Sequence, residues 1–358
     1  MMGTWDESYR AQAEMAFRRA ETTDSDFAHI SAESFNRQFE SHRAVWAIGP
    51  FQRDPAMTFR KPGSWLDPLG IGWTSGAVWN PTLIERDDRL FMFYRCGPRK
   101  ESLSSRIGLA IYDGTAWEDF SGNPVIYPVT STEVLSCEDP KLYRSNDLYY
   151  LFYQGIYPLP PEARTLVAEE LFSQDIGCDI HLAVSRDLVH WERVGSVVPH
   201  EISRYWAKAA VIPRNAHGEA VRIGGKFLMF LSEGCGHQQY LGYSRDLVDW
   251  DFRPQAFLPT PRDWRQIHEV ACAVIDERSR PGQLILDVFY RTAHQQLAAG
   301  QVRYDVTDPT RPQESSLGGT LAWGGLMQYQ GNWLYAQGWD APPGEQSLYF
   351  YRAPVEMA

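Results

Sequence analysis

The chain has 358 residues, a net charge of −11 and 13% aromatic residues, with 28 Gly and 23 Pro spread along it. That balance excludes the basic footprint of a nucleic-acid binder and favours many short strands joined by turns over a helical protein. No stretch reaches the ~18 consecutive apolar residues of a membrane span, and the first thirty residues lack the apolar centre of a signal peptide, so a soluble cytoplasmic protein is expected. Cys96, Cys137, Cys178, Cys235 and Cys272 are widely spaced with no C-x-x-C pair, which reads as free thiols in a reducing compartment and gives no zinc site.

In chain order, residues 1–45 read as a helical N-terminal arm. DESYRAQAEMAFRRA (6–20) and SAESFNRQFESHRAVW (31–46) carry apolar residues at helical spacing, and Ser31 is placed to cap the second segment. Packing of this arm on the main body is the simpler role, and a homo-oligomer contact is the alternative.

From residue 46 to 358 one pattern repeats. SRDLVHW (185–191) recurs as SRDLVDW (244–250), and this is the clearest part of a longer unit. A first strand starts at WNPTLI, EDPKLY, AKAAVI, HEVACAVI and WGGLMQY. A second follows at RLFMFYR, LYYLFYQ, KFLMFLS, LILDVFYR and NWLYAQG, and a third at IGLAIYD, IHLAVSRD, YLGYSRD, GQVRYDV and LYFYRAP. Five serial units of about four short strands predict an all-β fold, a five-bladed β-propeller.

Superimposing the first strands puts Asn80, Asp139, Lys208 and Glu269 at one equivalent position, with Gly324 fifth. The first strand of each blade is innermost, so these residues are expected around one mouth of a central channel. Buried unpaired charge is costly, so such a ring reads as a binding site. The exits of the second strands add Arg95, Gln154, Ser232 and Arg291, with Glu233 one residue beyond Ser232. Either arginine is suited to a carboxylate or phosphate, or to bridging blades.

Three acids from successive blades, Asp139, Glu233 and Glu269, are thus expected to converge. Glycosidic cleavage with inversion needs a proton donor and a base across the sugar, with carboxyls roughly 6.5–9.5 Å apart. Glu138 and Asp139 are adjacent in sequence and should point to opposite faces of their strand, which makes Asp139 the catalytic candidate and Glu138 a supporting residue. Burial and a neighbouring carboxylate are expected to keep Asp139 protonated. Trp79 and Trp206 are the candidates for stacking on a sugar ring, although most aromatics in such a fold pack between blades. His237 and His268 lie beside the two glutamates, His268 as a hydrogen-bonding candidate, and no spacing argues for a metal or cofactor. Residues 158–178 form a long insertion suited to walling or covering the pocket.

At these residues the chain resembles glycoside hydrolase family 130, five-bladed propellers that process β-mannosides by phosphorolysis or hydrolysis. The resemblance runs from about residue 76 to 300 and rests on GAVWNPTLI with FYR, SCEDPKL, LAVSRDLVHWERVG, and WAKAAVIP leading to GKFLMF and YSRDLVDW. It implies that Asp139 is the general acid. Where the family's phosphorylases carry a His-Arg element, this chain has LSEGCG; a carboxylate there repels phosphate, and Glu233 and Glu269 are then expected to manage water. EDPK replaces the usual EDPR. The expectation is therefore an inverting hydrolase acting on a short oligosaccharide, with a β-mannoside as the implied substrate. The alternatives are a phosphorylase, with Arg95, Lys208 and Arg291 gathering phosphate, and a sugar-binding or glycosyl-transferring propeller.

Overall fold

The structure, a computed structural model, describes residues 7–22, 32, 36–37, 43–100, 102–166, 175–259, 264–292, 297–342 and 344–355, with the side chains of 21–22, 264–268, 292 and 297 left aside. Ser31 and most of the second predicted helix, and the centre of the 158–178 insertion, lie outside the described residues. Among the described residues, no helix is long and apolar enough to cross a membrane, and all five cysteines are buried thiols.

Five blades follow one another around an axis. Blade one pairs Ala77–Arg86, Arg89–Gly97, Arg106–Tyr112 and Trp117–Asp119 in that order, and blade two pairs Ser136–Ser145, Leu148–Pro158, Ile176–Ser185 and Glu192–Ser196. In blade three a short inner strand, Ala207–Lys208, pairs with Glu233–Gly234, beside a sheet carrying Lys226–Leu231, Tyr240–Ser244 and Trp250–Pro254. Blade four runs from Trp264–Ile275 out to Asp308–Leu317. The last blade is closed by the beginning of the chain: Gln52–Arg60 pairs antiparallel with Ser347–Pro354 as its outermost strand. This closure ties the two ends of the propeller together and removes two free sheet edges.

The alternation of each strand sends apolar side chains to both neighbouring blades, since every sheet is covered on both faces. Tyr94 and Met92 of blade one pack with Leu334 and Phe350 of blade five, while Phe289 of blade four stacks on Trp323 of blade five at 4.1 Å between ring centroids. The SRDL repeat is a turn device. Ser185 and Ser244 each accept a hydrogen bond from the amide three residues on, at 2.9 Å, and Asp187 and Asp246 each accept two more amides. Leu188 and Leu247 share a φ of 70°.

The axis is filled by cations. The buried Lys141 ammonium donates to the carbonyls of Ala271, at 2.9 Å, and Trp323. Buried Arg214 donates to Leu83, Leu142 and Leu326. These inner-strand carbonyls have no ladder partner on the axis side, so the two side chains satisfy oxygens from four blades.

The arm begins as predicted, with a helix at Glu7–Thr22. Ala13 and Phe17 bury against Trp65 and Trp73 of the segment preceding blade one. Arg10 donates to the Gly70 carbonyl at 2.8 Å, and the helix's Ala20 carbonyl accepts from Arg99. The helix therefore sits over the blade-one loop that carries Ser102 and Ser105.

Candidate active site

The inner strands of blades one and two share one irregularity. Register slips between Trp79 and Thr82 and between Glu138 and Lys141, and the residue before each proline, Asn80 and Asp139, takes a left-handed backbone with φ of 46° and 48°. Asn and Asp tolerate this region better than other side chains, and the extra residue of a bulge turns its neighbours. Glu138 and Asp139 consequently do not point apart, as simple strand alternation predicted. Both carboxylates meet Arg95: Nη2 lies 2.7 Å from Glu138 Oε1 and Nη1 lies 3.0 Å from Asp139 Oδ1.

The guanidinium is itself fixed. Its Nε donates to Ser105 Oγ at 2.9 Å, Nη2 reaches the Ser102 carbonyl at 3.2 Å, and the group lies 4.6 Å over the Trp79 ring. Trp79 has no exposed surface; it supports Arg95 from below, and its face is not open for a sugar. From blade three, the Lys208 ammonium stands 3.8 Å from Glu138 Oε2 and 3.8 Å from Asp139 Oδ2, 5.7 Å over the buried Trp206 ring. Asn80 donates to Asp139 Oδ1 at 2.7 Å.

Electrostatics separates the two acids. Burial alone would raise Asp139, but Arg95 and Lys208 and the bonds from Asn80 and Arg95 outweigh it and hold the carboxyl below its ordinary value. This corrects the expectation that burial keeps it protonated. Glu138 goes the other way: its fuller burial raises it, against the pull of Arg95 and Lys208 and a 2.8 Å bond from Ser136, and Asp139 adds to the rise. Burial would lower Lys208, and the field of Asp139, Glu138 and Glu233 overrides it, so the ammonium is held firmly charged.

Lys208 is not equivalent to Asn80 and Asp139: it pairs with Glu233 as Glu138 pairs with Gln154, and the left-handed position of blade three is Ala209, with φ 56°. The sequence alignment of the inner strands was therefore one residue out there. Glu233 and Glu269 are both buried. Glu233 acts on Lys208, and Glu269 and Asp139 both act on Lys141, so the three acids share two lysines between them. Gly324 packs on the Pro81–Thr82 backbone with no room for a side chain, and its carbonyl accepts from Thr82 at 2.8 Å. Arg291 is exposed at the end of its strand, and the His268 side chain lies outside the described residues.

Sequence reasoning did not find the axial role of Lys141, the support from Ser102 and Ser105, or the bond from Trp339 Nε1 to Asn80 Oδ1 at 2.7 Å. It also missed Arg204, exposed on a left-handed turn whose stem lies against Gly236 of the Gly234–His237 turn. That second turn is locked to the first by the Cys235 amide donating to the Trp206 carbonyl at 2.7 Å, and it exposes His237.

Comparison with known proteins fits this geometry. The model of glycoside hydrolase family 130, described as beta-1,4-mannooligosaccharide phosphorylase, matches residues 71–263. A 1,2-beta-oligomannan phosphorylase from Thermoanaerobacter sp. (strain X514) is 27% identical over 202 residues, covering 54% of this chain and 57% of that relative; the match thus spans little more than half of the curated protein's length. Among solved structures, one reported under the statement that the GH130 family of mannoside phosphorylases contains hydrolases targeting beta-1,2 mannosidic linkages in Candida mannan superimposes with a TM-score of 0.64 at 20% identity, covering 88% of this chain and 98% of that one. The beta-1,2-mannobiose phosphorylase of Listeria innocua superimposes with a TM-score of 0.56 at 14% identity, covering 80% and 92%. At these identities the structures speak for the fold. The phosphorylase descriptions of the family model and the curated relative overturn the expectation that hydrolysis is the reaction.

Proposed function

Since the chain belongs to glycoside hydrolase family 130, we propose that it is a β-mannoside phosphorylase, which cleaves the terminal mannose of a short β-linked oligosaccharide with inorganic phosphate and releases mannose 1-phosphate. The observation that carries this reading is Asp139, a carboxyl aimed by Asn80 and Arg95 and only partly covered, beside an ammonium that stays charged.

Asp139 supplies the proton that leaves with the oxygen of the departing sugar, directly or through a hydroxyl of the bound mannose. Phosphate attacks the anomeric carbon from the other side, so the configuration inverts in one displacement. The developing positive charge of the sugar is stabilised by the surrounding carboxylates. Glu269 and Glu233 accept hydrogen bonds from sugar hydroxyls, and Trp206 supports Lys208.

Glu233 read from sequence as hostile to phosphate. Lys208, its partner across the paired strands, offsets that charge, and exposed Arg204 and His237 on the two interlocked turns add cationic or hydrogen-bonding groups at the same mouth. These three take the place of the family's His-Arg element. A cytoplasmic location suits both the supply of phosphate and five thiols kept reduced.

Phosphorolysis is close to reversible because the sugar phosphate retains much of the glycosidic bond's free energy. Incubation with mannose 1-phosphate and a manno-oligosaccharide acceptor should release inorganic phosphate and lengthen the acceptor, and Asp139→Asn should abolish both. Absence of chain extension by the wild-type protein, at acceptor concentrations that saturate binding, would count against the reading.

A further inference from the structure

Glu138 and Asp139 are two carboxylates on consecutive residues, and they share the same two cations. Arg95 contacts both, at 2.7 and 3.0 Å, and Lys208 stands 3.8 Å from both. The left-handed bulge at Asp139 is what makes this possible, since an ordinary strand would have parted them. Arg95 and Lys208, with the Asn80 amide, are what keep Asp139 ionised while no anion is bound. A general acid that is ionised has no proton to give.

The arrangement has a way out that depends on the co-substrate. A divalent oxyanion settling against Lys208 adds two negative charges within reach of the pair and draws on the same ammonium. Taking a proton from solvent onto the carboxylates then relieves the excess, and no other bond is made or broken. We propose that the Glu138–Asp139 pair takes up one proton as a unit when a dianion binds beside Lys208, so that phosphate binding brings in the proton that Asp139 passes on and Glu138 is a positioning residue that makes the uptake favourable. This rests on the phosphorylase reading above.

Other charged or titratable groups also face the pair. Lys141 lies two residues further along the inner strand, held by the axial carbonyls and by the field of Glu269. Glu233 faces Lys208 from the short strand Glu233–Gly234 of blade three, and burial pushes the Cys178 thiol on the third strand of blade two well up. None of these touches both carboxylates, whereas Arg95 and Lys208 do. Because Arg95 is locked by Ser102, Ser105 and Trp79, Lys208 is the cation whose attention an incoming anion can divide.

The coupling also assigns order. Without a dianion the pair stays ionised and the protein idles on a bound oligosaccharide, which protects the substrate from adventitious water.

Sulfate serves as the probe, since it is divalent and does not titrate near neutrality. Calorimetric titration of the whole protein with sulfate at neutral pH, in buffers of different ionisation enthalpy, counts the protons exchanged. The wild type should take up close to a whole proton per anion. Asp139→Asn should bind sulfate with that uptake lost. Glu138→Gln, which keeps the shape and can still accept from Ser136, should show reduced uptake and bind sulfate about tenfold tighter, because one repelling charge is gone. A merely structural Glu138 would weaken binding and leave the proton count alone. Sulfate binding by the wild type with no proton exchanged overturns the inference even if neither variant folds. Phosphate, titrated in the same way at a pH where it is dianionic, is the second probe: its binding with no proton taken up likewise overturns the inference, and failure of both anions to bind contradicts the phosphorylase reading itself.

Discussion

Trp339 donates its indole N–H to Asn80 Oδ1 at 2.7 Å, and this bond decides which end of the Asn80 amide faces Asp139. With the oxygen occupied, the NH2 group is turned to the carboxylate and cannot be exchanged for an acceptor. The last blade thereby sets the orientation of an acid on the second. Trp339 is in turn held by its own amide, which donates to Gln337 Oε1 at 2.5 Å.

Trp339→Phe keeps an aromatic ring, though a smaller one, and removes the donor. The cost of an orphaned buried acceptor is about 1–3 kcal/mol, so kcat/KM for phosphorolysis should fall roughly 10- to 100-fold. Steady-state kinetics alongside thermal unfolding checks this. A fall in activity matched by collapse of the folded state would point to packing instead.

Arg95→Met should be more damaging than its loss of one cation suggests. It leaves Glu138 buried with Lys208, 3.8 Å away and shared with Asp139, as its counter-charge, and breaking a buried pair costs about 3–5 kcal/mol. Urea unfolding should show a lower midpoint, and activity should be lost. Adding Glu138→Gln to Arg95→Met should recover a large part of the stability but none of the activity.

Asp287, buried between blades four and five, gives a pH dependence of the opposite sign to most acids. Burial raises its carboxyl to about 6, against hydrogen bonds from Thr320, Gln301 and Cys272. The folded protein therefore binds this proton more tightly than the unfolded chain does. Its contribution is complete below the unfolded carboxyl value, near 4, and is lost as pH rises through about 6. The loss should amount to roughly 3 kcal/mol. Asp287→Asn should flatten the stability profile between those limits, as read by urea unfolding at several pH values; an unchanged slope would remove Asp287 as its source.

Much of the fold was legible because blade repetition is written in alternating aromatic strands, and their apolar faces could only be covered by neighbouring blades. The closing strand Gln52–Arg60 was not, since its pattern is polar on one side and it pairs with a segment nearly 300 residues away. At the site, Asn80, Asp139 and Arg95 could be found from strand alignment alone. Lys208 was found but misplaced by one residue, because nothing in the spacing of AKAAVI marks Ala209 as the left-handed position. Glu138 was set aside on a rule of strand alternation that the bulge cancels. Lys141 was invisible for a different reason: its partners are backbone carbonyls, which carry no sequence signature.

The central claim is that phosphate is the nucleophile at the carbon whose leaving group Asp139 protonates. Phosphorus-31 NMR of the protein with β-manno-oligosaccharides, with and without inorganic phosphate, tests it most directly. The account predicts a phosphate-dependent resonance of α-mannose 1-phosphate growing as the oligosaccharide shortens, and none with Asp139→Asn. Free mannose accumulating at the same rate whether or not phosphate is present would contradict it.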